Sequence, residues 1–534
     1  IAHYPEYKES ELKNGAYATV VYVITEGGTK EKVTLEEGAT FTLTTRDLEG
    51  DQSIVSVTYH DLPKDVTRGS RVLLDDGLIE LHVESTTDTD VICTVVNGGK
   101  LSSRKGVNLP GIKVNLPALT EKDIQDLQFG VENGFDIVAA SFIRTAADVI
   151  NIRRVLEEAG GEYMHIISKI ENQEGVDNID SILEVSDGIM VARGDLGVEI
   201  PPEEVPLVQK LLIAKANERG KPVITATQML ESMVKSPRPT RAEANDVANA
   251  IFDGSDAIML SGETAMGAYP LEAVATMARI AEKTESSIDY SGTMETKEPA
   301  RVTITNAISM AACTTAAELD SAAIITVTKS GFTARMISKH RPTCPLIAIA
   351  SDERIWRQMN LIWGCVPLLY EFDLPKGEVF DTAVKIGVSS GLVKRGDTVV
   401  SALGMPLGFS GATNTLRVDI VGDVLCKGTG IGDKTVSGRA RVIKVRDDLE
   451  RTFRKGDILV TTATDNSFMP YIKKAAAIVV GPMDHNTDHH AEIAGAALDI
   501  PVIVCNEKVV DFVPNDTLIT VDAEQGFVYK GVPK

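Results

Sequence analysis

Aromatic residues are scarce in this sequence, at 5% of 534 residues, and cysteine is scarcer still, with six. The cysteines (Cys93, Cys313, Cys344, Cys365, Cys426 and Cys505) are far apart. None forms a C-x-x-C pair, which argues against a zinc cage and against a disulfide framework. A reducing cytoplasm is the setting this usage predicts. Long apolar runs are missing too. The stretch Ala16 to Thr25 is far short of the roughly 20 residues a membrane span needs, and no signal peptide is visible. Positive charge is in deficit: 54 Lys+Arg stand against 76 Asp+Glu, a formal net charge of −22. That balance argues against nucleic acid and anionic membrane as partners. Anionic small molecules stay open, because the field inside a cleft can oppose the net charge.

What is present is ordinary for a globular chain, 43% apolar and 24% charged. The length allows about three to five domains. Residues 15–103 read as an all-β domain. Val20–Thr25 and Thr40–Thr44 are rich in β-branched and aromatic residues, and Gly27-Gly28 and Asp75-Asp76-Gly77 punctuate them. From 104 to 293 short apolar runs alternate with amphipathic stretches. The runs Asp136–Phe142, Met164–Glu171, Gly188–Leu196, Pro222–Gln228 and Ala257–Gly262 start 24 to 35 residues apart. Such spacing holds a strand, a crossover helix and two loops, so it predicts βα repeats and a parallel sheet. Thr240 and Glu243 predict a capping box opening a helix. A polar linker is expected at 286–300. A second α/β domain follows over 294–424, with strands at Ala322–Thr328, Pro345–Ile349 and Asp397–Ala402. The glycine run Gly428–Gly432 is read as a boundary near the start of a last domain, 425–534. Residues 1–14 are read as a possible remnant of a barrel strand, and Ile1 in place of Met suggests that the true N-terminus is absent.

In a βα-repeat domain functional side chains gather at the C-terminal ends of strands. Lys169 and Glu171 are two apart and face one side of a strand. The next strand ends carry Ala192-Arg193-Gly194-Asp195, then Thr225-Ala226-Thr227-Gln228, then Ser261-Gly262-Glu263. One cation, two carboxylates and a hydroxyl suit Mg²⁺, which takes one or two carboxylates plus substrate phosphates. A nearby lysine suits a phosphoryl group in transfer. Taken singly, Lys169 with Glu171 is equally a structural ion pair and Arg193-Gly194-Asp195 a turn. The set at successive strand ends carries the argument.

Ser168–Asn172 (SKIEN), Met190–Glu199 (MVARGDLGVE), Ile224–Met229 (ITATQM), Pro237–Asn249 (PRPTRAEANDVAN), Met259–Ala265 (MLSGETA) and Lys105–Pro110 (KGVNLP) resemble the pyruvate kinase family. The resemblance covers most of 30–534. It implies an α/β fold: a (β/α)8 TIM-type barrel with an inserted β-domain, an α/β regulatory domain and an appended swivelling phosphohistidine-like domain. Only five barrel strands are readable. The implied reaction carries phosphoryl from phosphoenolpyruvate to ADP, giving pyruvate and ATP, with Mg²⁺ (or Mn²⁺) and usually K⁺. The resemblance assigns Glu171 and Asp195 to the metal, Lys169 to the phosphoryl in flight and Thr227 to the side of the enolate. Ala192, Arg193 and Gly194 would seat substrate through backbone groups, together with Asp195 and Thr227. Lys105 would approach the nucleotide. A phosphorylated effector is implied at Thr328, Ser330 and Thr333, with Gly411 and Thr413 on a second loop. A homotetramer and a cytoplasmic location are implied as well.

The family's N-terminal Asn-x-Ser-His-Gly and Asp-Thr-Lys-Gly-Pro-Glu motifs, which supply most K⁺ ligands, are not found. The reading is therefore a pyruvate kinase lacking its N-terminal barrel segment. One rival is a non-catalytic relative that keeps effector binding. The other is a phosphohistidine phosphotransferase acting through His490, which aligns with the phosphorylated histidine of such mobile domains. Asp484, His485, Asp488, His489 and His490 are also read as a metal cluster or a solvated loop, and the loop is the plainer choice.

Overall fold

The computed structural model describes residues 33–531 other than 49, 76, 103–104, 113–118, 291–302, 371–377, 405–412, 423, 445–452, 483–488 and 507. The strand expected at Val20–Thr25 and the remnant expected at 1–14 lie outside the described residues, as do most of the 286–300 linker, Gly411, Asp484, His485 and Asp488. The chain divides into two compact units. One runs through Thr314 and adds Thr326–Asp373 and Leu403–Asn414; the other comprises Thr315–Ile325, Leu374–Ala402 and Thr415–Lys534.

In the first unit the inserted domain is a six-stranded sheet. Its order is Ile54–Ser56, Thr40–Thr44, Asp90–Asn97, Ile79–Thr86, Arg71–Leu74 and Val107–Asn108. The residue pattern explains it. Along Ile79–Thr86 the side chains of Ile79, Leu81 and Val83 are buried and those between them face out, the period of two of a half-buried strand. Phe41, Leu43, Val91 and Cys93 complete that core.

Five parallel strands follow in simple sequence order: Ile137–Ala140, His165–Ile170, Gly188–Ala192, Val223–Ala226 and Ala257–Met259. Each matches one of the expected runs. Gly188–Ala192, at the centre, is buried at every position, while the outer strands are only partly covered. Helices Ala146–Glu158, Val205–Arg219 and Arg241–Phe252 alternate with these strands, and side chains from Ala146–Glu158 and Val205–Arg219 pack with the strand residues in one core. The expected capping box is present: the Glu243 N–H donates to Thr240 Oγ1 at 3.2 Å, and the Thr240 N–H donates to Glu243 Oε2 at 2.7 Å. Among the described residues the sheet is five strands wide, as read from the sequence.

The second α/β region contributes to both units. In the first, Leu346–Ala350 pairs in parallel with Cys365–Leu369. The latter strand was not expected; Pro367 within it has no N–H to give a ladder and reads against a strand. In the second unit Ala323–Ile325 pairs in parallel with Val399–Ser401.

The C-terminal part of the second unit is a closed barrel of seven strands, in the order Val424–Ile431, Val502–Cys505, Ala477–Val480, Ile458–Thr461, Thr435–Ile443, Leu518–Asp522 and Phe527–Lys530. Here one expectation is corrected. Gly428–Ile431 is the body of a strand and not a boundary. The glycines are there for close approach. A Cβ on Gly428 would lie 2.1 Å from the Val504 carbonyl oxygen, and one on Gly430 1.8 Å from that of Ala523. Glycine in a strand marks such an approach as often as it marks a turn.

Candidate active site

The C-terminal ends of the central strands converge on one polar cluster. Lys169 is the penultimate residue of its strand, and Glu171 follows the strand's last residue. The Lys169 ammonium is 2.7 Å from Glu171 Oε1 and donates to Ser141 Oγ at 2.9 Å. Ser141 follows the neighbouring strand Ile137–Ala140. Glu171 Oε2 accepts the Phe142 N–H at 2.6 Å. Phe142 has φ 55°, the left-handed turn that aims its N–H at the carboxylate. The lysine side chain keeps 22% of its surface in solvent and the glutamate 1%. Burial pushes the Glu171 carboxyl above the ordinary carboxylate value, partly offset by Lys169, and the negative charge of Asp195 adds to the rise.

Asp195 lies in the first turn of the short helix Arg193–Glu199, which starts directly after the buried strand Gly188–Ala192. Its carboxylate has no hydrogen bond or ion pair among the described residues. A buried carboxylate whose cost of ionisation is raised by a neighbouring one, with a single lysine paired to it, forms a site a divalent cation would relieve. No group of three or more His, Cys, Asp or Glu able to hold a metal occurs among the described residues.

Thr227 stands at φ 71° and Gln228 at φ 53°. For a β-branched residue this is a real outlier, of the kind that clusters at functional sites. Arg193 fastens the strained turn. Its guanidinium donates to the Thr227 carbonyl at 2.8 Å and pairs with Asp246 at 2.6 Å. The Arg193 side chain is thus committed to the turn, leaving only its backbone for any substrate. The Gly194 N–H donates to Thr227 Oγ1 at 2.8 Å, and that hydroxyl donates to the Ala226 carbonyl at 2.6 Å. Glu263, which follows the last of these strands, is fully buried and accepts the N–H groups of Leu230 and Ser261 at 3.0 and 2.8 Å.

The sequence reading missed three participants. Ser141 and the Phe142 N–H lie at the end of the run Asp136–Phe142, just past the strand Ile137–Ala140, and had no assigned role. Glu199 lies inside a quoted motif but had no assigned role. It accepts a hydrogen bond from Asn108 Nδ2 at 2.8 Å, so its partner is 91 residues away. Burial raises the Glu199 carboxyl above its ordinary value, Asn108 opposes the rise and Asp195 adds to it. Lys105, just past the bound of 103 read for the inserted domain, pairs with Asp75 of that domain at 2.5 Å.

Elsewhere, Thr328 is buried at the end of its strand, and the Thr333 and Thr413 hydroxyls meet at 2.9 Å. The Ser330 carbonyl accepts from Arg335 at 3.2 Å. In the C-terminal barrel His490 begins the helix His490–Leu498. Its Nδ1 is 3.0 Å from Thr464 Oγ1 and its Nε2 is 3.2 Å from Asn466 Oδ1. Both ring nitrogens of His490 are thus within hydrogen-bond reach of a neighbouring side chain. No helix among the described residues is long and apolar enough to cross a membrane.

Residues 18–274 match the family described as pyruvate kinase, barrel domain; residues 306–419 match pyruvate kinase, alpha/beta domain. Residues 453–526 match PEP-utilising enzyme, mobile domain. Pyruvate kinase from Geobacillus stearothermophilus is 48% identical over 535 residues, covering 99% of this chain and 87% of the relative. That from Sporosarcina psychrophila is 48% identical, covering 94% and 86%, and that from Bacillus licheniformis 47%, covering 93% and 85%. On sequence, sheet order and similarity together, this chain belongs to the pyruvate kinase family.

Proposed function

We infer that the chain transfers the phosphoryl group of phosphoenolpyruvate to ADP, giving pyruvate and ATP. One observation carries the chemical reading. The Lys169 ammonium is held by Ser141 and Glu171 at the C-terminal end of its strand, with the Asp195 carboxylate near enough to Glu171 to act on it. A phosphoryl group in flight spreads negative charge over its equatorial oxygens, and a pre-positioned cation stabilises it without reorganising. Lys169 is that cation in this proposal. Glu171 serves twice: it orients the lysine, and with Asp195 it would hold Mg²⁺. When bound, Mg²⁺ supplies Lewis acidity toward the oxygens of substrate and product. Thr227, fixed by Arg193, borders the place where the pyruvate enolate takes its proton. The N-terminal turn of the helix Arg193–Glu199 seats substrate through Ala192, Arg193 and Gly194. Lys105 stands on the inserted domain, where a nucleotide would be covered. Closure of that domain would exclude water and limit hydrolysis.

The loop Thr328–Thr333 with Thr413 suits a phosphorylated effector, and we extend the proposal to it and to assembly as a homotetramer. The test of the central reading is pyruvate formation by the full chain from phosphoenolpyruvate and ADP with Mg²⁺, with and without K⁺. Turnover in the wild type that disappears in Lys169→Met is expected. A wild type that makes no pyruvate, or a Lys169→Met variant that keeps its rate, would overturn it.

A further inference from the structure

The inserted domain touches the barrel at the helix that carries Asp195. Asn108 is in the edge strand Val107–Asn108, which pairs with Arg71–Leu74 in the register Leu73 to Asn108. Its side-chain amide crosses to Glu199 Oε1 at 2.8 Å, in a partly buried setting. A second approach falls beside it. Gly77, at φ 83° in the turn that follows Arg71–Leu74, faces Val198: a Cβ added there would reach ordinary van der Waals distance, 3.7 Å, from its methyl. The hydrogen bond and this approach fall on the last two residues of the seven-residue helix Arg193–Glu199. The first turn of that helix holds Asp195, and Leu196 in its middle is fully buried. The helix is therefore a short rigid lever, with the candidate metal ligand at one end and the inserted domain resting on the other. Swinging the inserted domain away must break the Asn108–Glu199 bond first.

We propose that Asn108 and Glu199 form a latch that fixes the resting position of the inserted domain over the cleft, and that Glu199 is a positioning residue for nucleotide capture. The kinetic consequence rests on the phosphoryl-transfer reading; the latch itself does not. The bond joins an amide to a charged group, so its loss should be visible yet should not unfold the domain.

The experiment has two arms on the full chain. In hydrogen exchange without ligand, Glu199→Ala and Asn108→Ala should each speed exchange across 105–110 by roughly five- to tenfold. Glu199→Gln keeps a carbonyl acceptor for Asn108 and should stay close to wild type. The double variant should exchange no faster than either single one, because both break one bond. Should Glu199→Ala fail to fold, Asn108→Ala breaks the same bond from the other side. In steady-state kinetics the alanine variants should raise KM for ADP roughly fivefold and leave KM for phosphoenolpyruvate within about twofold. Unchanged exchange in both single variants, or additive effects in the double, would overturn the latch. Equal rises in both KM values would overturn the nucleotide role. Absence of turnover in the wild type would count against phosphoryl transfer, while the exchange arm still decides the latch.

Discussion

The two ends of the five-stranded sheet are both lined with charge, and they spend it in opposite ways. At the N-terminal end Asp136, Asp187 and Asp256 each precede a strand, and each is matched to one arginine. Arg357 meets Asp136 at 2.5 Å, Arg153 meets Asp187 at 2.5 Å, and Arg341 meets Asp256 at 2.9 Å. Backbone groups add to this: Asp187 accepts the Ile166 N–H on the oxygen that Arg153 holds, and Asp256 accepts the Val223 N–H on its other oxygen, both at 2.8 Å. Lys221 donates to the Leu183 and Ser186 carbonyls at a helix end. These three aspartates and Lys221 are all answered from within the protein. At the C-terminal end Lys169 is shared between Ser141 and Glu171, Glu171 is buried against its preference for water, and Asp195 is unanswered among the described residues. One end closes its electrostatics and contributes stability. The other leaves it open, and an open arrangement can be completed by a ligand.

Substitutions can break this contrast. Lys169→Met should have the largest effect: a fall in kcat of roughly 10³-fold with the thermal transition nearly unmoved, since methionine keeps the stem and removes the charge. A stable variant with wild-type turnover would erase the distinction between the ends. Arg341→Leu tests the opposite end. It should destabilise the first unit by about 3–5 kcal/mol, because Asp256 is left buried without its partner, while kcat measured well below the transition stays close to wild type. Denaturant unfolding reads the first quantity, and a merely surface-like loss below about 1 kcal/mol would deny that this end is structural.

Asp195→Asn should raise the Mg²⁺ concentration for half-maximal activity by at least about tenfold, the lower bound seen when even an outer partner of a metal is removed. Glu171→Gln should do the same. Unaltered Mg²⁺ dependence in both would separate the carboxylates from the metal. The smallest effect concerns pH. Burial raises Glu171 above the ordinary carboxylate value, so the folded state keeps its proton to higher pH than the unfolded chain. That contribution is present at low pH and is lost as pH rises from the ordinary carboxylate value through the folded one. Glu171→Gln, which carries no such charge, should therefore gain on wild type by a few degrees in Tm as pH approaches neutrality. A Tm difference that does not change with pH would show that the carboxylate is not paying this cost.

The contrast was only half legible in the residues. Lys169, Glu171, Asp195 and Thr227 stood out because strand ends carry function in βα repeats and because each lies within a few residues of an apolar run. The partners that give them their character did not stand out. Ser141 and Phe142 end the run Asp136–Phe142 but carry no charge to mark them, and Asn108 reaches Glu199 across 91 residues. The arginines at the opposite end, Arg341 and Arg357, come from a segment read as a separate domain. Such pairings join positions 85 to 221 residues apart, and no local pattern encodes them. The glycine run at 428–432 misled for the same reason. A glycine that opens a turn and one that admits a neighbouring carbonyl look identical until the neighbour is in place.

Local chemistry, then, determined the five strands of the βα repeats, the capping box at Thr240 and the residue types at each strand end. All of these depend on side-chain periodicity and on neighbours within one turn or one strand. Only the tertiary structure decided which charges are satisfied and which stay open. That depends on desolvation and on partners brought in from distant segments, and it is why three aspartates before strands became anchors while the aspartate after one became a candidate ligand.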